Sequence, residues 1–275
     1  MTNIPRALNR AVERFTQISD TPRLDAELLM AAALGIGRDR LILDAPGGEE
    51  PPTFVDYVER RVAGEPVAYI TGHRGFWTID LEVGPGALIP RPDSETLIAA
   101  AVEHFAGTNG PKRILDLGTG PGTLLLAALD QWPDATGVGV DASEDALTYA
   151  RRNAARIGIG DRASLRVGNW AEGIDEQFDL VLCNPPYIAT DEETGPGVAD
   201  FEPGEALFAG PEGLDDYRRL APQLGRLIAP GGLAAIEIGY RQAEAVAVLL
   251  TQQGLAATVA HDLAGRPRAL LIHGF

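Results

Sequence analysis

The residues with the most specific chemistry are Asn184-Pro185-Pro186-Tyr187, at the end of the apolar run Phe178-Asp179-Leu180-Val181-Leu182-Cys183. A run rich in Val and Leu and closed by turn residues has the pattern of a buried parallel strand. Two prolines forbid its continuation. Each residue before a proline is held near extended geometry, so Asn184 and Pro185 are both restricted. Asn184 then offers a side-chain oxygen and Pro185 a main-chain oxygen, two acceptors that can grip one NH2 group. The pattern describes a site for a planar amide or amine.

A second cluster is Asp116-Leu117-Gly118-Thr119-Gly120-Pro121-Gly122, which follows an apolar run and opens an apolar helical pattern. Glycines there let a ligand approach the backbone closely. A dinucleotide fingerprint wants G-x-G-x-x-G, whereas Gly118, Gly120 and Gly122 give G-x-G-x-G, so no phosphate need be cradled. Asp141 ends the next predicted strand, about 20 residues on, where a carboxylate can accept ribose hydroxyls. Trp170, just past the third strand, lies over the same cleft by topology, either stacked on an adenine or packed at a sheet edge. Arg91, between Pro90 and Pro92, is an ordinary loop residue or a fixed cation for a carboxylate.

These residues need a scaffold to converge. From Lys112 onward strands alternate with helices. Residues 114–117, 135–140, 163–167, 178–183 and 233–238 are predicted strands; 123–131, 144–157, 214–228 and 241–253 are predicted helices. That alternation specifies a parallel α/β sheet with right-handed crossovers. Residues 255–260 and 267–272 follow as two strands joined by a short loop, an antiparallel final pair. Residues 4–61 have helical periodicity, with a start signal at Ser19-Asp20-Thr21-Pro22 and stops at Gly35, Gly37 and Gly64. Tyr69-Ile70, Phe76 to Ile79 and Leu81 to Val83 predict a hairpin between two domains. Ser94 or Asp93 is expected to cap a helix reaching Phe105. Residues 189–213 are acidic and rich in Gly and Pro, with few helix or strand signals, and are expected to line a substrate entrance.

The chain has 275 residues, 45% apolar and 23% charged, enough for a large domain and a smaller one. Its 23 basic and 39 acidic residues give a net charge of −16, which argues against a substrate held chiefly through phosphates. Four scattered histidines lack metal-ligand spacing, so no metal is expected. The longest apolar stretch, 28–34, is far too short to span a bilayer, and residues 1–10 lack an apolar signal core. One cysteine, Cys183, excludes an internal disulfide and fits a reducing compartment. A cytoplasmic enzyme is expected.

The combined motifs resemble class I S-adenosylmethionine methyltransferases, and within them the HemK/PrmC family of protein-glutamine N5-methyltransferases. The stretches that carry the likeness occur in order: Glu65-Pro66-Val67-Ala68-Tyr69-Ile70-Thr71-Gly72, Phe76-Trp77, Leu88 to Glu95, Asp116 to Gly122, Asn184 to Ile188, Phe201-Glu202-Pro203, Gly213-Leu214-Asp215 and Glu237-Ile238-Gly239. Ala68 stands where that family usually has glutamine, and Ser94 where it usually has threonine. The resemblance implies a Rossmann-like fold: a seven-stranded mixed sheet ending in an antiparallel pair, preceded by a helical partner-binding domain (1–64) and a β-hairpin linker (65–92), with the methyltransferase domain at 93–275.

It also implies roles. S-adenosylmethionine would lie against Gly118, Thr119, Gly120 and Gly122, its ribose on Asp141 and its adenine near Trp170, with Asn184 touching both ligands. The substrate glutamine would meet Asn184, Pro185, Pro186, Tyr187 and Arg91, with Asn184, Pro185 and Tyr187 at the reacting amide. The implied substrate is the Gly-Gly-Gln loop of peptide chain release factors, methylated by a monomer without direct contact to nucleic acid or membrane. A glutamine of a large-subunit ribosomal protein is the alternative. A DNA amino-methyltransferase, which would grip a flipped base with the same motif, is disfavoured by the charge.

Overall fold

The computed structural model describes residues 3–44 and 47–274, so that of the stretch 1–10 residues 1 and 2 lie outside the described residues. They form two compact units, one up to His73 together with Glu193–Glu202, the other Arg74–Glu192 with the chain from Pro203 onward.

The first unit is helical, with helices Ile4–Phe15, Pro22–Leu34, Arg38–Asp44, Pro52–Val62 and Val67–Thr71. Ile4, Ala7, Leu8, Ala11 and Phe15 recur at helical spacing and are buried, each large side chain contributing about 1.5–3 kcal/mol on burial. Gly35 ends the second helix in the left-handed region at φ 65°, its N–H reaching the carbonyls of Ala31 and Ala32. Phe15, Leu29, Met30 and Phe54 form the centre of this core. The Arg61 guanidinium meets the buried Asp25 carboxylate at 2.9 Å. Residues 193–202 include one helical turn, Val198–Phe201.

Val67–Thr71 differs from expectation. Tyr69 and Ile70 are residue types favoured in strands, yet they lie on a short helix that starts after Pro66 and ends at Gly72, φ 78°. Burial of Ile70 in the helical core outweighs local propensity. The hairpin follows as β1 (His73–Phe76) and β2 (Ile79–Glu82), turning at Trp77, φ 52°.

In the second unit the remaining strands are β3 (Arg113–Leu117), β4 (Thr136–Asp141), β5 (Ala163–Val167), β6 (Phe178–Cys183), β7 (Ile228–Glu237), β8 (Ala257–His261) and β9 (Pro267–His273). They form one sheet in the order β5-β4-β3-β6-β7-β9-β8. The first five are parallel, and β9 runs antiparallel to both neighbours. The strand order reverses between β3 and β6, and in such sheets ligands bind beyond the carboxyl ends of the strands at that point. Apart from the buried Asp116, the inner positions there are apolar: Ile114, Leu115, Leu117, Leu180, Val181 and Leu182 have no exposed surface. Cys183 shares that burial, and its thiol is pushed well above its usual pKa.

Residues 189–213 carry more structure than their composition suggests. Ile188 bridges Phe208, Thr190 donates to the Gly210 carbonyl, and Gly204–Ala206 forms a 3-10 turn. No helix among the described residues is long and apolar enough to cross a membrane.

Candidate active site

Leu117 and Cys183 are register partners on β3 and β6, so the glycine loop and Asn184 leave the sheet together. The Gly118 and Thr119 N–H groups both donate to the Val140 carbonyl, at 2.8 and 3.0 Å, folding the loop back over β4. Gly118 (φ 73°) is tightly enclosed: a β-carbon there would lie 3.2 Å from the Trp170 ring and 3.8 Å from the Asn184 carbonyl oxygen. Trp170 itself has φ 51°, a conformation that costs a bulky residue on the order of 1–3 kcal/mol and clusters at functional sites.

Two carboxyls organise the loop. Asp141 accepts from the Gly120 N–H at 2.7 Å and the Ser143 N–H at 2.8 Å, and burial raises its pKa against the effect of those donors. Each of its oxygens keeps a lone pair for a ligand. Asp116 is fully buried, and one oxygen accepts from Thr119 Oγ1 at 2.6 Å and the Leu125 N–H at 3.1 Å. Its other oxygen, Oδ1, has no partner. Burial, with a smaller contribution from the Asp141 charge, pushes Asp116 up to about 7.

A cavity of about 420 Å³ opens here, lined by Arg91, Gly118, Thr119, Gly120, Asp141, Trp170, Asn184 and Pro186 among others. Asp116, Glu205, Phe208 and Asp216 complete parts of its wall, so the segment after residue 203 does border the site. Gly122, Pro185 and Tyr187 are outside this lining. Gly122 has φ 88°, and a β-carbon there would strike the Leu126 side chain at 2.6 Å, so its smallness serves helix packing. Pro185 is buried. Tyr187 directs its hydroxyl to Glu237 Oε1 at 3.3 Å, and burial followed by the Glu237 charge raises its pKa far above that of a free phenol.

Asn184 Nδ2 donates to Ser94 Oγ at 3.2 Å, which leaves Oδ1 as the free acceptor. Ser94 starts the helix Glu95–His104 but makes no side-chain cap, contrary to expectation; its hydroxyl accepts from Asn184 instead. Behind Tyr187, Gln242 donates to the carbonyls of Tyr187 (3.0 Å) and Gly213 (3.1 Å) and accepts from the Gly239 N–H (3.0 Å). Glu237 is 1% exposed, and burial lifts its pKa to about 7.

Four of these residues, Ser94, Glu237, Gln242 and Asn153, were not assigned to the site from sequence. Asn153 donates to the carbonyls of Glu82 and Pro121, each at 3.0 Å, and accepts from the Glu82 N–H at 2.7 Å, tying β2 to the glycine loop. Its signal was present: an amide on the buried face of helix Glu144–Arg156, among Ala146, Leu147, Ala150 and Ala154.

The cavity suits a ligand with cationic groups and hydroxyls, because Asp116 offers a buried unpartnered oxygen and Asp141 a second carboxyl. S-adenosylmethionine, with its ammonium and sulfonium groups, ribose and adenine, has that chemistry. Comparison with known proteins agrees. Residues 6–72 match the PrmC N-terminal domain, and residues 109–244 match a methyltransferase domain. The release factor glutamine methyltransferase of Caulobacter vibrioides is 44% identical over 86% of this chain and 83% of its own length. That of Rhodospirillum rubrum is 43% identical over 97% of this chain and 83% of its own. In fold alone, a methyltransferase from Pyrococcus furiosus superposes with a TM-score of 0.55 at 17% identity, over 80% of this chain and 99% of its own. This chain belongs to the release factor glutamine methyltransferase family.

Proposed function

We propose that this chain methylates the side-chain amide nitrogen of a release-factor glutamine, with S-adenosylmethionine as donor. The observation that carries it is the pairing of Leu117 with Cys183, which brings a glycine-loop ligand cradle and a free amide acceptor to one cavity. Gly118, Thr119, Gly120, Asp141 and Trp170 would hold the donor, which supplies an electrophilic methyl group when bound.

An amide nitrogen is a poor nucleophile because its lone pair is delocalised into the carbonyl. Asn184 Oδ1 and the Pro185 carbonyl would each accept one N–H of the glutamine and fix its plane. As positive charge grows on nitrogen, these acceptors bind it more strongly than they bind the neutral amide, which lowers the barrier. The extra proton then leaves to water. Tyr187 forms a wall and takes no proton, since its pKa is raised and its hydroxyl already donates to Glu237.

The finer reading places the target in the Gly-Gly-Gln loop, with residues 1–64 as the partner-binding domain, 65–92 as the linker and 93–275 as the catalytic domain. It takes the enzyme as a cytoplasmic monomer that touches neither nucleic acid nor membrane, and the net charge of −16 supports the former. The test incubates the protein with S-adenosylmethionine and release factor, a large-subunit ribosomal protein, or DNA. Mass spectrometry should locate one added methyl on the release-factor glutamine; transfer only to another substrate would refute the assignment.

A further inference from the structure

Ser94 Oγ meets the Asn184 amide at 3.2 Å and Ser94 is 1% exposed, so where Asn184 sits depends on what fixes Ser94. Pro92–Ser94 is a single 3-10 turn, with the Ser94 N–H donating to the Arg91 carbonyl at 3.1 Å. Pro90 and Pro92 stiffen this stretch. An ionic attachment to the sheet comes from Arg268, whose Nη2 lies 2.8 Å from Asp93 Oδ2.

Arg268 is itself fixed from two sides. It lies near the start of β9, where its carbonyl accepts the Ile238 N–H at 2.8 Å, and its side chain is buried. The same Nη2 donates to Asp262 Oδ2 at 3.2 Å. Asp262 is held in turn by the loop between β8 and β9, its other oxygen accepting the N–H groups of Ala264 and Arg266, both at 2.9 Å. One nitrogen thus joins a rigid turn to the residue beside Ser94.

The second carboxylate is the informative one. A buried guanidinium requires a counter-charge, and Asp262, with a side chain only 6% exposed, already provides it. Asp93 is 51% exposed and could reach solvent, yet it lies against Arg268. Arg268 Nε has no partner, so the guanidinium is placed for its Nη2 contacts rather than for its own full satisfaction. We propose that Arg268, through its ion pair with Asp93, is a positioning residue that holds the Ser94 hydroxyl against Asn184. The pair acts on geometry: a displacement of about 1 Å in a reacting arrangement can cost on the order of 100-fold in rate.

The inference rests on the reading of Asn184 as the amide grip. It is tested with Asp93→Ala, Asp93→Glu, Ser94→Ala, the double variant Asp93→Ala/Ser94→Ala and Arg268→Met. The measurements are kcat and KM with release factor, and the dissociation constant of S-adenosylmethionine by calorimetry. Asp93→Ala should lower kcat by about tenfold, less than the loss of the Asn184 contact itself, with KM and donor affinity changed far less. Asp93→Glu keeps the charge at a half-exposed position and should recover most of kcat. In the Ser94→Ala background Asp93→Ala should add nothing, because both loosen the same side chain. Arg268→Met should lower kcat at least as far as Asp93→Ala. If it does not fold, Asp93→Ala keeps the test decisive, since Arg268 then retains Asp262 and no buried charge is stranded. Wild-type kcat in Asp93→Ala or in Ser94→Ala overturns the inference. So do fully additive losses in the double variant, or a loss of donor affinity as large as the loss of kcat. If Asn184→Ala keeps its turnover, the amide-grip reading itself has failed; if Asn184→Ala loses turnover and Asp93→Ala does not, only the role of Arg268 has.

Discussion

Gly118 and Asn184 lie against each other: a β-carbon on Gly118 would approach the Asn184 carbonyl oxygen to 3.8 Å. The donor cradle and the acceptor grip are therefore one structure, and perturbing either should have separable effects on binding and turnover.

For Asn184→Ala the expected result is a fall in kcat on the order of 100-fold or more, by analogy with removing one oxyanion-type contact. The Asn184 side chain supplies the acceptor and leaves the Gly118 loop intact, so donor affinity should change little. Single-turnover kinetics with calorimetry on the same protein checks both. An equal loss of donor affinity would show that Asn184 serves the cofactor rather than the amide.

Asp141→Ala should show the opposite pattern. Its carboxylate holds the Gly120 and Ser143 N–H groups, so truncation frees two backbone donors and removes the proposed ribose acceptor. Donor binding weakens first, with kcat at saturating donor less affected. Unchanged affinity by calorimetry would exclude the ribose assignment.

Much of the scaffold was legible because a parallel strand buried on both faces is written as an unbroken apolar run. Phe178–Cys183, buried at all but one position, begins and ends where its residues change character. The cavity residues Gly118, Asp141, Trp170 and Asn184 all lie at or just past the carboxyl ends of β3, β4, β5 and β6, so topology gathers them. Ser94 was not legible in this sense. Its local pattern is that of a helix cap, and its partner is 90 residues away, across a contact that only the folded sheet creates. Tyr69-Ile70 misled for the complementary reason, since local strand propensity yielded to burial in the helical core.

Asn153→Ala tests a brace rather than a catalytic group. The substitution leaves the Glu82 N–H and the carbonyls of Glu82 and Pro121 without their partner in a buried setting. Leaving such groups unsatisfied costs about 1–3 kcal/mol each, less what water and relaxation recover. The expected result is a lowered melting temperature, with weaker donor binding because Pro121 belongs to the glycine loop. A variant with wild-type stability would show that β2 and the loop are held together by other contacts.

The last prediction concerns pH. Asp116 and Glu237 are both raised to about 7, chiefly by burial, from ordinary values of 3.8 and 4.5. Between those limits the folded chain keeps protons that the unfolded chain has released, so stability must fall as pH rises. Their contribution is most favourable below about pH 4 and is lost as pH climbs through about 7. Shifts of this size correspond to a few kcal/mol in order of magnitude. Glu27, lowered by its partners Arg23 and Arg38 despite desolvation, acts in the opposite sense, but only below its ordinary value of 4.5. Thermal melts of the ligand-free protein should therefore show a falling melting temperature from pH 5 to pH 8. Asp116→Asn and Glu237→Gln should each flatten that slope, because neither replacement titrates. A wild-type melting temperature that stays level across the window, or a slope untouched by both substitutions, would show that these carboxyls are ionised in the folded protein throughout.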